Sequence, residues 1–172
     1  SAAHKDLFTN FKHGDIDLEL DCMMAKESNS GIYLQGRYEL QLLDSWGVIK
    51  PRSTDMGGIY ERNDSKRPEG QRVFDGRAPR QNVSKAPGLW QHYKISFQAP
   101  RFLNGVKTEN ARILKVELNG VVIQENIELS GPTAGSVSRI EIAEDALRIQ
   151  GDHGQVAFKN IVVTKFPDQK PS

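Results

Sequence analysis

Residues 15–23 read Asp-Ile-Asp-Leu-Glu-Leu-Asp-Cys-Met, so acidic and apolar side chains alternate along the segment. Because successive side chains of a strand point to opposite faces of a sheet, this alternation predicts a strand with one buried and one solvated face. The pattern recurs at residues 32–43, 90–97, 113–118, 121–127, 140–142, 146–149 and 156–164. No stretch shows a comparable helical period, so the sequence predicts an all-β protein.

The connections between these segments point to antiparallel pairing. Asn119-Gly120 separates two apolar runs, and both residues tolerate the positive φ of a type I′ turn, so we expect a hairpin over residues 113–127. Residues 46–88 lack periodicity and carry many glycines, prolines and charges, which predicts a long loop. We expect this loop to be ordered and to lie over or beside a pocket, with four buried apolar anchors: Ile59, Tyr60, Val73 and Phe74. Many antiparallel strands without helices are typical of a sandwich or jelly roll.

Composition narrows the classes of function. The chain has 172 residues, 37% of them hydrophobic, which suits a single domain over residues 1–172 with a frayed polar tail at residues 167–172. Its net charge is +1 with interleaved signs, which disfavours nucleic-acid binding, and its apolar runs are too short to span a bilayer. Cys22 is the sole cysteine and can form no internal disulfide. No spacing typical of a metal site occurs, so we expect no metal and no cofactor.

Residues 38–44, Tyr-Glu-Leu-Gln-Leu-Leu-Asp, set polar side chains into an apolar strand. Alternation places Glu39 and Gln41 on one face, and one extra residue near positions 42 and 43, a β-bulge, would bring Asp44 to the same face. Two carboxyl groups flanking an amide suit acid/base chemistry on a sugar. The alternative is a structural role, with Glu39 as a hydrogen-bond acceptor and Asp44 as a turn cap or ion ligand.

Other side chains could complete such a site. His153 lies in a glycine-flanked turn and could transfer a proton near neutral pH, or it could simply bond to backbone. Aromatic rings can stack on a pyranose, although aromatic residues more often pack in a core. The candidates for substrate binding are the aromatic residues Trp46 and Tyr60 and the hydrogen-bonding residues Asn29, Arg37, Gln41 and Arg101.

A resemblance to a known family rests on seven segments that occur in order: Asn29-Ser30-Gly31-Ile32-Tyr33, Tyr38-Glu39-Leu40-Gln41-Leu42-Leu43-Asp44, Gly58-Ile59-Tyr60, Gly88-Leu89-Trp90, Leu118-Asn119-Gly120-Val121, Gln150-Gly151-Asp152-His153-Gly154 and Phe158-Lys159-Asn160-Ile161. Over residues 15–166 the chain resembles the 3-keto-disaccharide hydrolase family. The resemblance implies a concanavalin A-like jelly roll of two antiparallel sheets and action on glycosides oxidised at C3. It also implies export to the periplasm or the cell surface.

Two features depart from that family. Its members usually begin with further strands before the segment matching Leu7-Phe8-Thr9, so we expect either a trimmed chain or a shortened sandwich with an exposed sheet edge. The pattern from Glu39 to Asp44 also resembles the ExDxxE motif of retaining concanavalin A-like glycosidases, but Gln41 replaces the central acid. A carboxyl pair spaced for a covalent intermediate is therefore not assured.

The leading hypothesis is an enzyme that cleaves a 3-keto-glycoside by elimination and hydration, because a C3 ketone acidifies the C2 proton. Glu39 or His153 would be the base, the other or Asp44 would assist the leaving group, and Gln41 with Arg37 would orient the enediolate. Direct hydrolysis by a carboxyl pair is the mechanistic variant. The alternatives are a noncatalytic glycan-binding module and a partner-binding domain of a larger cell-surface protein. The expected ligand is a small saccharide, and the oligomeric state stays open.

Overall fold

The computed structural model describes residues 5–166, and within that range it contains strands and no α-helix. The described part therefore holds no helix that could cross a membrane. In chain order the strands are β1 (Leu7–His13), β2 (Asp15–Met24), β3 (Asn29–Leu34), β4 (Tyr38–Leu43), β5 (Arg62–Asn63), β6 (Val73–Phe74), β7 (Trp90–Gln98), β8 (Arg101–Leu103), β9 (Val106–Glu109), β10 (Ala111–Leu118), β11 (Val121–Leu129), β12 (Asp145–Ile149) and β13 (Val156–Phe166).

Two antiparallel sheets form the sandwich. The first has the strand order β1-β12-β3-β4 and the second β11-β10-β7-β2-β13, while β5 with β6 and β8 with β9 form two short ribbons. The alternation in β2 buries Ile16, Leu18 and Leu20, which pack against Ile32 and Leu40 of the facing sheet. The all-β jelly-roll sandwich predicted from the sequence is thus confirmed.

Two turns decide how neighbouring strands pair. Asn119 and Gly120 have φ of 53° and 80° and join β10 to β11, as predicted. A second turn was not predicted: Gln35 and Gly36 have φ of 52° and 64°, and the Arg37 amide donates to the Leu34 carbonyl at 3.0 Å. The single strand expected over residues 32–43 is therefore wrong, because this turn folds the segment into the β3–β4 hairpin.

Two further strand assignments differ from the structure. Residues 140–142 form no strand, because this short apolar run lies in the irregular connection before β12. Strand β1 was not predicted, although it pairs with β12 at the edge of the first sheet. Its side chains Leu7 and Phe8 are 64% and 56% exposed at this edge. The predicted frayed tail, residues 167–172, lies outside the described residues.

The long loop after β4 returns to the first sheet and pairs with it. The Gln41 backbone amide donates a hydrogen bond to the Gly58 carbonyl at 2.8 Å, and the Tyr60 backbone amide donates one to the Glu39 carbonyl at 3.1 Å. Ile59 forms an antiparallel β-bridge with Leu40 and is 2% exposed. Tyr60 and Phe74 are partly buried. The prediction of four buried anchors is wrong at Val73, which is 53% exposed on the short β5–β6 ribbon.

Candidate active site

The β3–β4 hairpin places Tyr33 directly opposite Glu39. Both side chains lie on the face of the first sheet that points away from the core, because their neighbours Ile32 and Leu40 fill the core. Loops nevertheless cover this face, so Tyr33 and Glu39 are only 3% and 4% exposed. The Tyr33 hydroxyl hydrogen-bonds the Glu39 carboxylate. A carboxyl group is thereby held in a polar niche outside the core.

Neighbouring strands extend this pair into a row of polar side chains. Arg148 of β12 lies opposite Tyr33, and its guanidinium carbon is 4.0 Å from the centre of the tyrosine ring. Arg148 is oriented by the Gly135 carbonyl at 2.8 Å and by the Asp6 carboxylate at 2.9 Å. On the other side of Glu39, the loop segment that pairs with β4 places Tyr60 next to it. We call Arg148, Tyr33, Glu39 and Tyr60 the outer-face row.

Gly31 makes room for the Glu39 carboxylate. A Cβ atom built at Gly31 would lie 2.2 Å from the Glu39 Oε1 atom, far closer than any real contact. Glycine is thus required here by a close approach rather than by a turn. The side chain of Glu39 leans across Gly31, which sits opposite Gln41 in the hairpin.

Burial sets the protonation behaviour of Glu39. Desolvation raises its pKa to about 7, while the Tyr33 hydrogen bond and the charges of Arg148 and His153 act in the opposite direction. Desolvation also raises the pKa of Tyr33, and the adjacent Glu39 charge adds to that rise. Tyr33 therefore stays a neutral hydrogen-bond donor, whereas Glu39 can exist in either protonation state near neutral pH.

The predicted residue His153 lies within electrostatic range of Glu39. Its turn is tied to β3 by two backbone bonds: the Asn29 amide donates to the His153 carbonyl and the Gln150 amide to the Gly31 carbonyl, both at 3.0 Å. The imidazole Nδ1 contacts Asp152 and lies 3.0 Å from the Gln150 side-chain nitrogen. Unlike Glu39, His153 is exposed, so it stands on the solvent side of the group.

Gln41 lies on this face, as predicted, and Asn29 lies there too, but the two side chains are bonded to each other. The Gln41 side-chain nitrogen donates to the Asn29 Oδ1 atom and to the Thr54 carbonyl, each at 3.1 Å. Gln41 is 3% exposed, so these bonds tie the long loop to β4. Asn29 is partly exposed and lies beside the His153 turn, to which its backbone amide is hydrogen-bonded.

The predicted pairing of Asp44 with Glu39 is wrong. Strands β3 and β4 keep one continuous register from Asn29–Leu43 to Leu34–Tyr38, so there is no bulge between them. Five residues along a strand span roughly 17 Å, which separates the two carboxyl groups. The Asp44 carboxylate instead accepts hydrogen bonds from the Glu27 amide at 3.0 Å and the Trp46 amide at 3.3 Å. It caps a turn, which is the alternative that the sequence left open.

Both predicted sugar-binding arginines are held in ion pairs elsewhere. Arg37 is 4% exposed and donates to the Asp145 carboxylate at 2.6 Å and to the Ile140 carbonyl at 2.7 Å, which closes the hairpin end. Arg101 makes a two-pronged ion pair with Asp15 at 2.6 and 2.8 Å. These ion pairs give both arginines a structural role, because they neutralise poorly solvated carboxylates, and their assignment as sugar ligands stays a prediction.

The two predicted aromatic candidates have different surroundings. Tyr60 belongs to the outer-face row, partly exposed beside Glu39. Trp46 is 63% exposed beyond the end of β4, on the same turn that Asp44 caps. Trp46 does not join the row, and its role as a stacking surface stays a prediction.

Sequence reasoning missed Tyr33 and Arg148. The signal for Tyr33 was present: a turn at Gln35-Gly36 would have placed Tyr33 opposite Glu39. No comparable signal exists for Arg148, because its register against Tyr33 joins positions 115 residues apart.

The most voluminous described cavity and the polar outer-face row lie at different places in the structure. A cavity of about 750 Å³ opens beside the start of β1 and the end of β2, lined mostly by apolar side chains together with Lys5 and Lys26. It shares the turn residues Gln150, Gly151 and Gly154 with the His153 region but has no carboxylate in its lining. We place the candidate active site at the outer-face row and His153, because that group brings together a carboxyl group of raised pKa and an imidazole, the two side chains predicted to act as acid and base. Within residues 5–166 no group of three or more His, Cys, Asp or Glu side chains is placed to hold a metal ion.

Known structures resemble this chain. Three proteins of Parabacteroides distasonis ATCC 8503, each named a "putative glycosyl hydrolase", superpose on it with TM-scores of 0.72, 0.64 and 0.62. Their sequence identities are 25%, 18% and 14%, and the alignments cover 94%, 96% and 96% of this chain. The same alignments cover 68%, 85% and 76% of the chains of these three proteins. At 18% and 14% identity the likeness concerns the fold alone.

Sequence comparison with curated proteins produced no match. Comparison with family models produced one that spans nearly the whole chain, residues 1–164. The matched family agrees with the resemblance found in the ordered sequence segments, and its name indicates a carbohydrate-active protein. The chain belongs to the family of 3-keto-alpha-glucoside-1,2-lyase-like domains.

Proposed function

We propose that this protein is an enzyme that cleaves the glycosidic bond of a 3-keto-glycoside by elimination followed by hydration. The observation that carries the proposal is the Glu39 carboxyl group, buried over Gly31, bonded to Tyr33 and within electrostatic range of the exposed His153. A base and a potential acid thus lie within electrostatic range of each other, with the potential acid on the solvent-exposed side. Family membership supports the same class of substrate.

The chemistry requires one group that takes a proton and one that gives a proton. Ionised Glu39 removes the proton from C2, which the C3 ketone acidifies, and the resulting enolate expels the C1 oxygen. His153, in its protonated form, donates to the departing oxygen, so that the leaving sugar departs as an alcohol. Addition of water across the C1–C2 double bond then gives the free 3-keto sugar.

The remaining row residues position the base and the substrate. Tyr33 holds the Glu39 carboxylate in one orientation, and Arg148 stacks on the Tyr33 ring and limits its movement. Tyr60 offers a partly exposed hydroxyl beside Glu39 that can donate to the enolate oxygen. In this scheme no covalent sugar intermediate forms, so the absence of a paired carboxylate at Asp44 creates no difficulty.

The decisive experiment follows product release from a 3-keto-disaccharide beside its unoxidised parent, in D₂O. We expect cleavage of the oxidised sugar alone, with deuterium incorporated at C2 of the product, because the C2 proton is exchanged during elimination. Cleavage without deuterium at C2 would indicate direct hydrolysis instead.

Variants then test the assigned roles. Glu39→Gln preserves size and hydrogen bonding but removes basicity, so we expect kcat to fall roughly 10²- to 10⁴-fold with sugar affinity nearly unchanged. His153→Gln should lower kcat similarly, whereas the turn cap variant Asp44→Asn serves as the control and should retain activity. A protein that binds glycans without releasing product, and whose Glu39→Gln variant changes only affinity, is a glycan-binding module.

A further inference from the structure

A small cavity lies beside the outer-face row, at the hairpin end of β4. It has a volume of about 230 Å³, is largely enclosed and is lined by Arg62, Asn63, residues 132–136 and Arg139. Since a water molecule occupies about 30 Å³ in the liquid, this volume corresponds to roughly eight waters. The cavity therefore suits one substituent of a sugar better than a whole disaccharide.

Two arginines line this cavity, and its lining includes no carboxylate. Arg62 is fixed on three sides: its guanidinium carbon is 5.0 Å from the Phe74 ring centre, its Nη1 donates to the Ser130 hydroxyl at 2.8 Å, and its Nη2 packs over Gly131. Its Nε atom is buried and has no hydrogen-bond partner among residues 5–166. A buried donor without a partner calls for an acceptor.

The cavity adjoins the proposed reaction centre through shared walls. Arg62 follows Tyr60 by two residues, which is about 7 Å along an extended chain. Thr133, in the cavity lining, accepts the Glu39 amide at 3.2 Å through its hydroxyl. Gly135 lies against Tyr33, where an added Cβ would stand 3.0 Å from the tyrosine oxygen. A sugar bound at Glu39 can thus direct a substituent toward Arg62.

We propose that this cavity binds the carboxylate of an acidic sugar, so that the substrate carries a uronic acid residue. The inference rests on the proposed function, because Glu39 places the sugar. A guanidinium group presents planar, parallel N–H donors that match the two oxygens of a carboxylate, and Arg62 is already immobilised for such a contact. Arg139 adds a second positive charge at the exposed rim.

The test compares two probes that differ only in oxidation at C6, methyl α-D-glucuronide and methyl α-D-glucoside, by calorimetric titration at low salt. We expect the glucuronide to bind at least about tenfold more tightly, the size of effect typical of a hydrogen bond to a charged group. The double variant Arg62→Gln/Arg139→Gln should abolish that preference. Arg80→Gln is the matched control, since Arg80 pairs with Glu125 on the surface at 2.7 Å and should keep the preference.

Each outcome bears on a distinct claim. Equal binding of the two probes, no binding of the glucuronide, or a preference that survives the double variant overturns the acidic-sugar inference. A protein that cleaves a neutral 3-keto-disaccharide but shows no preference loses this inference alone. A protein that binds the glucuronide through both arginines yet cleaves no oxidised sugar keeps the anion site and loses the proposed function.

Discussion

Replacing Glu39 by glutamine should stabilise the fold at alkaline pH while greatly lowering kcat. The pKa of Glu39 is about 7 in the folded protein, against an ordinary value of 4.5. In the folded state the group therefore keeps its proton over this interval while the unfolded chain has released it. Folding stability must then fall as pH rises from about 4.5 to 7.

The size of the effect follows from the difference in pKa. A difference of about 2.5 units, at 1.36 kcal/mol per unit, corresponds to about 3 kcal/mol of unfolding free energy lost above pH 7. Glutamine cannot ionise, so the variant does not incur this loss. For a domain of this size, about 3 kcal/mol translates to a Tm difference of roughly 6 to 12 °C.

The assay is thermal unfolding of wild type and Glu39→Gln at pH 4.5 and pH 8. We expect the Tm of the variant, relative to wild type, to rise by that amount between the two pH values. Glu69→Gln, at an exposed position of the long loop, is the control and should show little change. A Tm difference that is the same at both pH values would refute the argument that burial raises the pKa of Glu39.

Two further substitutions probe the surroundings of this group. Gly31→Ala places a Cβ 2.2 Å from the Glu39 Oε1 atom, so the carboxylate must move by about 1 Å. We expect kcat to fall about 100-fold in steady-state assays. An unchanged kcat would contradict the argument that Gly31 makes room for the catalytic carboxylate. Arg101→Gln leaves the 2%-exposed Asp15 without its two-pronged partner and should lower the unfolding free energy, measured in urea, by about 3 kcal/mol. Turnover by the folded fraction should persist, and a selective rise in KM would support Arg101 as a sugar ligand.

Strand alternation was readable from the sequence because it depends only on neighbouring residues. The polar and apolar phases of residues 15–23 predicted the buried face of β2, and Asn119-Gly120 predicted the β10–β11 hairpin from the local φ requirement of the turn. The same alternation placed Glu39 and Gln41 together on one face of β4, which the structure bears out.

Which residues come together in the candidate site depends on the tertiary structure. Glu39 meets Tyr33 because an unrecognised turn folds the strand back, and it comes within range of His153 because a distant turn docks on β3. Register between strands and the docking of loops depend on contacts between residues far apart in the chain, which a local pattern does not encode.

The sequence also does not show which charged side chains are already paired within the fold. Asp44, Arg37 and Arg101 are examples. Their residue types suited sugar chemistry, yet each is bound by a partner: backbone amides for Asp44, Asp145 for Arg37 and Asp15 for Arg101. A charged side chain near a folded core takes the nearest opposite charge or orphan backbone group, because leaving either unpaired is costly. The sequence determined which side chains were available for chemistry, and the tertiary structure decided which of them could still meet a substrate.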